Sequence, residues 1–318
     1  MSNLNKNLKK DLKKVESLMK VNLSKEPVVN DLYDYIFNKS GKKIRASISL
    51  ICSYGGNKNQ QNRVKLAAII ELLHTATLVH DDIIDNSDLR RGIKTVNVAW
   101  SNSHGVLIGD FIYSKAFMLM NEIGNLKVIN ELSSATNKIA EGELMQLANK
   151  NNLDTSLQQL KKISYYKTGR LFEASAKSAA MFSGKSNSFT RNVSEAAKLI
   201  GIVFQVRDDL LDYGISKRNI GKPQMQDILE EKITYPLYFA LKSSSKKDAS
   251  KILKKINNKD FNVEEISDFV SSSNAFNKCD SLIESYSNKI SECIKKISNK
   301  EIRNEMLNLS DSLKNRYE

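Results

Sequence analysis

Leu78-Val79-His80-Asp81-Asp82-Ile83-Ile84-Asp85-Asn86-Ser87-Asp88-Leu89-Arg90-Arg91-Gly92 decides how the rest of this chain is read. Three carboxylates in a D-D-x-x-D pattern are followed by two arginines. On a helix, Asp81 and Asp85 fall one turn apart on the same face with Asp82 beside them. Like charges at that spacing repel, so the pattern calls for a cation to hold. The spacing returns in Phe204-Gln205-Val206-Arg207-Asp208-Asp209-Leu210-Leu211-Asp212-Tyr213, again inside an apolar helical context.

One acidic triplet of this kind is a weak signal, because solvated helix faces carry many. Two copies in apolar surroundings are harder to dismiss. Leu72, Leu73, Leu78, Val79, Ile83 and Ile84 leave little polar face for a water-facing stripe, and buried carboxylates have to be paired or coordinated. Oxygen donors without Cys or His partners favour a hard cation, and magnesium binds one or two carboxylates together with substrate phosphates.

With these motifs the chain resembles the trans-isoprenyl (polyprenyl) diphosphate synthases, and within them the bacterial octaprenyl diphosphate synthases. The second likeness rests on Gly109-Asp110-Phe111-Ile112-Tyr113, Leu126-Lys127-Val128, Ala140-Glu141-Gly142-Glu143 and Arg170-Leu171-Phe172-Glu173-Ala174. It runs from about Ser40 to Pro236 with the motifs in the family's order. The resemblance implies an all-α fold of the isoprenoid synthase type, a single-domain bundle of long helices around a central cavity. We expect that domain to span residues 1–318, because no boundary is visible. Magnesium is the implied cofactor, three ions with substrate bound, and a homodimer is the implied assembly.

The whole chain agrees with that expectation. Its 318 residues suffice for a large core, and 41% hydrophobic with 27% charged residues is ordinary for a soluble globular protein. Only 3 prolines and 13 glycines point to long helices. Met1 to Met19 is rich in Lys and Asn, unlike a signal peptide, and no apolar run is long enough to cross a bilayer, so a cytoplasmic location is expected. The net charge of +13 is spread along the chain, which argues against nucleic acid. Polyanionic small substrates, or loose attraction to an anionic membrane surface during product release, account for it as well. Cys52, Cys279 and Cys293 lack metal spacing and read as reduced structural cysteines.

Taken in order, Leu4, Leu8, Leu12, Val15, Leu18 and Met19 mark an amphipathic first helix. Asn38 to Arg45 is a polar turn entering a helix expected over Ala46 to Tyr54. Cations at a helix start oppose its dipole unless they converge with it on an anion. The turn resembles the family's G-K-x-x-R element, which implies Lys42 and Arg45 as ligands of isopentenyl diphosphate. Ala46 stands where the family usually has Pro, and Lys43 is expected to be solvated. Arg63 to Asn86 is the next expected helix. His74 on it, ordinarily a core histidine, becomes a third isopentenyl diphosphate ligand by the match in Glu71-Leu72-Leu73-His74-Thr75-Ala76-Thr77. His80 is expected to support the site without a catalytic role.

Guanidinium forks match phosphate oxygens bidentately. The resemblance directs Arg90 to the allylic diphosphate and Arg91 to the isopentenyl diphosphate; without the adjacent aspartates, the pair would read as a solvated helix end. Gly109 to Met120 and Leu132 to Leu147 are two further expected core helices. Phe117, Met118 and Met120 are assigned to core packing or to the wall of a long apolar tunnel, Glu143 and Gln146 to support. In Tyr165-Tyr166-Lys167-Thr168-Gly169-Arg170, Lys167 and Thr168 resemble the pair that holds the allylic diphosphate, and Gly169 permits close backbone approach. Gln205 joins that set with the second aspartate motif. Gly221 to Pro236 resembles a loop closing over the diphosphates, implying Lys222 and Lys232 as ligands. Met225 and Glu231 replace expected glycines there, and Gln226 an expected acid.

The implied reaction is magnesium-assisted ionisation of an allylic diphosphate, with farnesyl diphosphate as primer, followed by attack of the isopentenyl double bond. Asp81, Asp82, Asp85, Asp208, Asp209 and Asp212 are the implied metal ligands, and Asp81, Asp82, Asp85, Asp208 and Lys167 carry catalysis through charge neutralisation. Ala76 and Thr77, small where aromatics would close the tunnel before Asp81, imply a long all-trans product around octaprenyl, such as a ubiquinone side chain. Two alternatives stay open: a class I terpene cyclase, which would not need Lys42, Arg45 and His74, and a catalytically silent subunit of a heteromeric synthase.

Overall fold

The computed structural model describes residues 3–21, 24–38, 41–56, 59–150, 152, 154–214 and 225–315. In chain order the elements are α1 (Asn3–Lys20), α2 (Pro27–Asn38), α3 (Ile44–Ser53), α4 (Gln60–Ile84), β1 (Leu89–Arg90), β2 (Ile93–Lys94), α5 (Val96–Ala99), α6 (Asn102–Ile123), α7 (Leu126–Ala148) and α8 (Leu157–Ser164). A turn of π-helix (Tyr165–Gly169) follows, then α9 (Arg170–Phe182), α10 (Asn187–Asp212), α11 (Gln226–Leu229), α12 (Tyr235–Ser243), α13 (Lys246–Asn257), α14 (Val263–Ser272), α15 (Ala275–Lys295) and α16 (Lys300–Lys314). The expected all-α class is what the chain adopts, with every anticipated helix present; α6 and α7 begin well before the expected Gly109 and Leu132.

The chain gathers into two compact units. The first comprises Met1–Thr136, Leu171–Ala197 and Cys293–Asn308. Its centre is α4, which from Leu66 to Leu73 buries every residue. A helix apolar on all sides has to be surrounded, and α1, α3 and α6 pack against it. Asn59 caps its start by accepting the Gln61 N–H at 2.8 Å. At the other end Asp85 is the C-cap, its N–H bonded to the Asp81 carbonyl at 2.8 Å. The last turn of α4 therefore presents the first aspartate motif, one turn from Asp81 to Asp85 as expected.

The β1–β2 hairpin was not foreseen. Leu89 pairs with Lys94 and Arg90 with Ile93, joined by Arg91 and Gly92 at φ 52 and 75. Positive φ at both central residues is the demand of the two-residue hairpin turn that matches strand twist, and Gly92 is the glycine that permits it.

The second unit comprises Asn137–Arg170, Lys198–Glu292 and Leu309–Glu318. Tyr213, Met225, Ile228, Leu237, Ile252 and Ile266 belong to its buried cluster, contributed by α10 to α14. Helices α12, α13 and α14 end at the polar stretches Ser243-Ser244-Ser245, Asn257-Asn258 and Ser271-Ser272-Ser273. Cys52, Cys279 and Cys293 are free thiols. No helix among the described residues is long and apolar enough to cross a membrane.

Candidate active site

In the first unit, α1, α2, α4 and the hairpin line a solvent-open cavity whose walls include His74, Leu78, Asp82, Arg90, Arg91 and Lys43. Of the expected isopentenyl diphosphate set, His74 and Arg91 line it. Burial and then the charges of Arg45, Arg91 and Arg90 hold the His74 imidazole well below its usual pKa, so it is neutral at pH 7. The Arg45 guanidinium, buried, lies 4.4 Å above the Phe172 ring with its Nε lacking a hydrogen-bond partner. Burial draws its pKa down to about 10. A buried guanidinium with an unused donor suits an anionic oxygen. Arg91 passes close over Gly41, where an added Cβ would meet its Nη2 at 2.5 Å, so a side chain there would displace the guanidinium.

Two residues change places relative to expectation. Lys42 is exposed and does not line the cavity. Lys43, expected to be solvated, lines it instead and pairs with Glu16 of α1 at 3.1 Å, its side chain 12% exposed. The reason is backbone: Lys43 adopts φ 48, a left-handed turn that swings its side chain toward α1.

Asp82 is buried and engaged by Arg90, whose Nε lies 2.7 and 2.8 Å from Oδ1 and Oδ2. Asp81 and Asp85 are half-buried on either side. His80 bonds the Val106 carbonyl at 3.1 Å and packs on the Tyr113 ring, which fits the supporting role expected of it. Ala76 is fully buried, and Thr77 donates to the His74 carbonyl at 2.8 Å. Met120 is core, but Phe117 and Met118 are 48% and 56% exposed, correcting their assignment to core packing. Helical periodicity alone does not identify which face of α6 is left exposed.

In the second unit the Lys167 ammonium sits 2.7 Å from Glu143 Oε2 and contacts Gln146 Oε1. Glu143 and Gln146 are thus the immediate partners of Lys167. The π-turn carries Lys167 and Thr168 toward α10, where an added Cβ on Gly169 would come within 3.2 Å of the Lys198 carbonyl. Thr168 donates to Gln205 Oε1 at 2.7 Å, and Gln205 donates to Asp209 Oδ1 at 2.8 Å. Asp209 also accepts the Tyr235 N–H at 3.0 Å. Burial and the charge of Asp227 raise its pKa well above the usual carboxylate range, against those two bonds. Asp212 accepts the N–H groups of Gln226 and Asp227, each at 3.1 Å, and so caps α11. Lys232 is buried and pairs with Glu230 at 2.5 Å. Lys222 lies outside the described residues. Met225 and Glu231, at the two expected glycines, both take φ 62, the conformation that favours glycine.

Among the described residues no three His, Cys, Asp or Glu side chains cluster tightly enough to hold a metal ion unaided.

A sequence profile of the family described as Polyprenyl synthetase matches residues 26–272. The chain belongs to the polyprenyl synthetase family. As a polyprenyl synthetase it is a trans-prenyltransferase, an enzyme whose family generally uses magnesium through diphosphate-binding motifs. Its relatives include the octaprenyl diphosphate synthase of Escherichia coli (strain K12), 40% identical over 225 residues, 71% of this chain and 70% of that one. The all-trans-nonaprenyl-diphosphate synthase (geranyl-diphosphate specific) of Rhodobacter capsulatus is 39% identical over 222 residues, 70% of this chain and 68% of that one. The crystal structure of a polyprenyl synthase from Caulobacter crescentus CB15, complexed with calcium and isoprenyl diphosphate, superposes on this polyprenyl synthetase with a TM-score of 0.92 at 28% identity, covering 99% of this chain and 97% of that one.

Proposed function

We propose that this polyprenyl synthetase condenses isopentenyl diphosphate with farnesyl diphosphate and extends it to about the octaprenyl length. It is a long-chain trans-polyprenyl diphosphate synthase. The observation that carries the finer reading is the first unit's cavity, where a neutral His74 and two arginines face an apolar wall of Leu78, Val79 and Ile93. A polyanionic head on a short hydrocarbon satisfies both surfaces. Arg45, His74 and Arg91, together with Lys42, hold the isopentenyl diphosphate. Arg90, Lys167, Thr168, Gln205 and Lys232 hold the allylic diphosphate.

Asp81, Asp85 and Asp208 are the magnesium ligands in this reading. Asp82 holds Arg90, Asp209 anchors Gln205 and the start of α12, and Asp212 caps α11, which supports treating these three as the frame around the ligands. Magnesium bound there supplies neutralisation of the diphosphate as the allylic carbon–oxygen bond breaks. The protein orients the isopentenyl double bond toward the allylic carbon, and the departing pyrophosphate takes the proton released on bond formation. Positioning and electrostatics suffice, without a covalent nucleophile.

The exposed Val106, Leu107, Phe117 and Met118 of α6 support a homodimer joined on that face. The test of the whole reading is incubation of the purified chain with magnesium, farnesyl diphosphate and labelled isopentenyl diphosphate. Elongation requiring all three supports it. Consumption of the allylic diphosphate alone indicates a cyclase, and inactivity until a second protein is added indicates a silent subunit.

A further inference from the structure

Helix α3 begins badly by its own sequence. Its N-cap is Lys43, a cation in left-handed conformation that offers no side-chain acceptor. The first intrahelical bond closes at Ser47, whose N–H reaches the Lys43 carbonyl at 2.9 Å. The Ala46 N–H, one position earlier, has no partner within the helix. Its partner comes from α4: Glu71 Oε1 accepts it at 2.8 Å. Glu71 is buried at 6% exposure and lines the same cavity as His74 and Arg91. Burial raises its pKa, while the Ala46 N–H and then Arg45, Lys43 and Arg91 pull it down.

From this arrangement we infer that Glu71 is a positioning residue for isopentenyl diphosphate, capping α3 across from α4 so that Arg45 is presented to the diphosphate. The inference rests on the proposed isopentenyl diphosphate site. Arg45 is the second residue of α3, one position before the capped amide. Its guanidinium is fixed from one side by the Phe172 ring, and the start of its helix is fixed from the other by Glu71. A helix end without its cap frays over the first turn, and the first turn here is the binding element. The bond depends on Ala46 having an N–H, which a proline at that position would lack.

The test is a double-mutant cycle read by steady-state kinetics, with wild-type elongation as the control on the underlying site. Glu71→Met removes the acceptor with little change of volume. It is expected to raise the KM for isopentenyl diphosphate about tenfold, leaving that for farnesyl diphosphate within about twofold. In an Ala46→Pro background, where the N–H is already gone and the first helical turn tolerates proline, the same substitution is expected to cost less than about threefold. Glu71→Gln keeps an acceptor oxygen and is expected to stay within about threefold of wild type, a result readable even if Glu71→Met does not fold. An equal penalty for Glu71→Met in both backgrounds, equal rises in both KM values, or a tenfold loss for Glu71→Gln would each overturn the inference. Absence of elongation by the wild-type chain would instead refute the site on which it rests.

Discussion

Arg90 grips Asp82 by both carboxylate oxygens, its Nε 2.7 Å from Oδ1 and 2.8 Å from Oδ2 and its Nη2 2.6 Å from Oδ1. The pair ties the last turn of α4 to the hairpin that carries both arginines. Asp82 is buried, so removing its charge strands the guanidinium. Asp82→Asn is expected to lower stability by about 2 kcal/mol and to raise the KM for the allylic diphosphate. Arg90→Lys, which cannot bond both oxygens, should do the same to KM at a smaller stability cost. Thermal melts and initial rates check both.

His74 gives the fold a pH dependence of known sign. Its folded pKa is held well below the unfolded value near 6.5. The unfolded chain therefore binds a proton that the folded chain refuses, and this contribution to stability is complete above about pH 6.5 and declines as pH falls below it. Melting temperatures from about pH 7 to 5 should drop more steeply for wild type than for His74→Gln; parallel curves would count against a neutral buried imidazole.

Glu231 occupies a left-handed position at φ 62 where glycine is expected. A side chain there costs about 1 kcal/mol of strain. Glu231→Gly is expected to raise stability by up to about 1 kcal/mol in urea titrations. Met225 shares the φ but is buried in the core of the second unit, so Met225→Gly should destabilise through lost packing despite the relief of strain.

Asp208 and Asp212 separate a ligand from a cap. Asp208→Ala should reduce turnover by about a thousandfold and weaken the magnesium dependence, with folding intact. Asp212→Asn, which keeps one acceptor for the two N–H groups it caps, should cost about tenfold or less. Equal losses would argue that Asp212 too binds metal.

Much of this was legible before any coordinates. The D-D-x-x-D spacings, the order of the motifs and the alternation of lysines with leucines in α1 are local patterns, and local patterns survive folding. What escaped depends on backbone sign or on distant partners. Nothing in Lys42-Lys43 says which lysine turns inward; a left-handed φ at Lys43 and a glutamate on α1 decide it. The hairpin after Asp85 was signalled only by Gly92, too small a cue beside a helical aspartate motif. Phe117 and Met118 show the limit of composition, because large apolar residues on α6 read as core until the helix is placed against α4. The bonds of Asp209 to Tyr235 and of Asp212 to Gln226 and Asp227 join residues far apart in sequence, so the aspartate spacing alone does not announce them.

The length of the product tests the central claim most directly. Mass measurement of the lipid made by the purified chain from farnesyl and isopentenyl diphosphates with magnesium should give a species near octaprenyl diphosphate, and Ala76→Tyr should shorten it. Unextended farnesyl diphosphate, or a length that Ala76→Tyr leaves unchanged, would contradict the account.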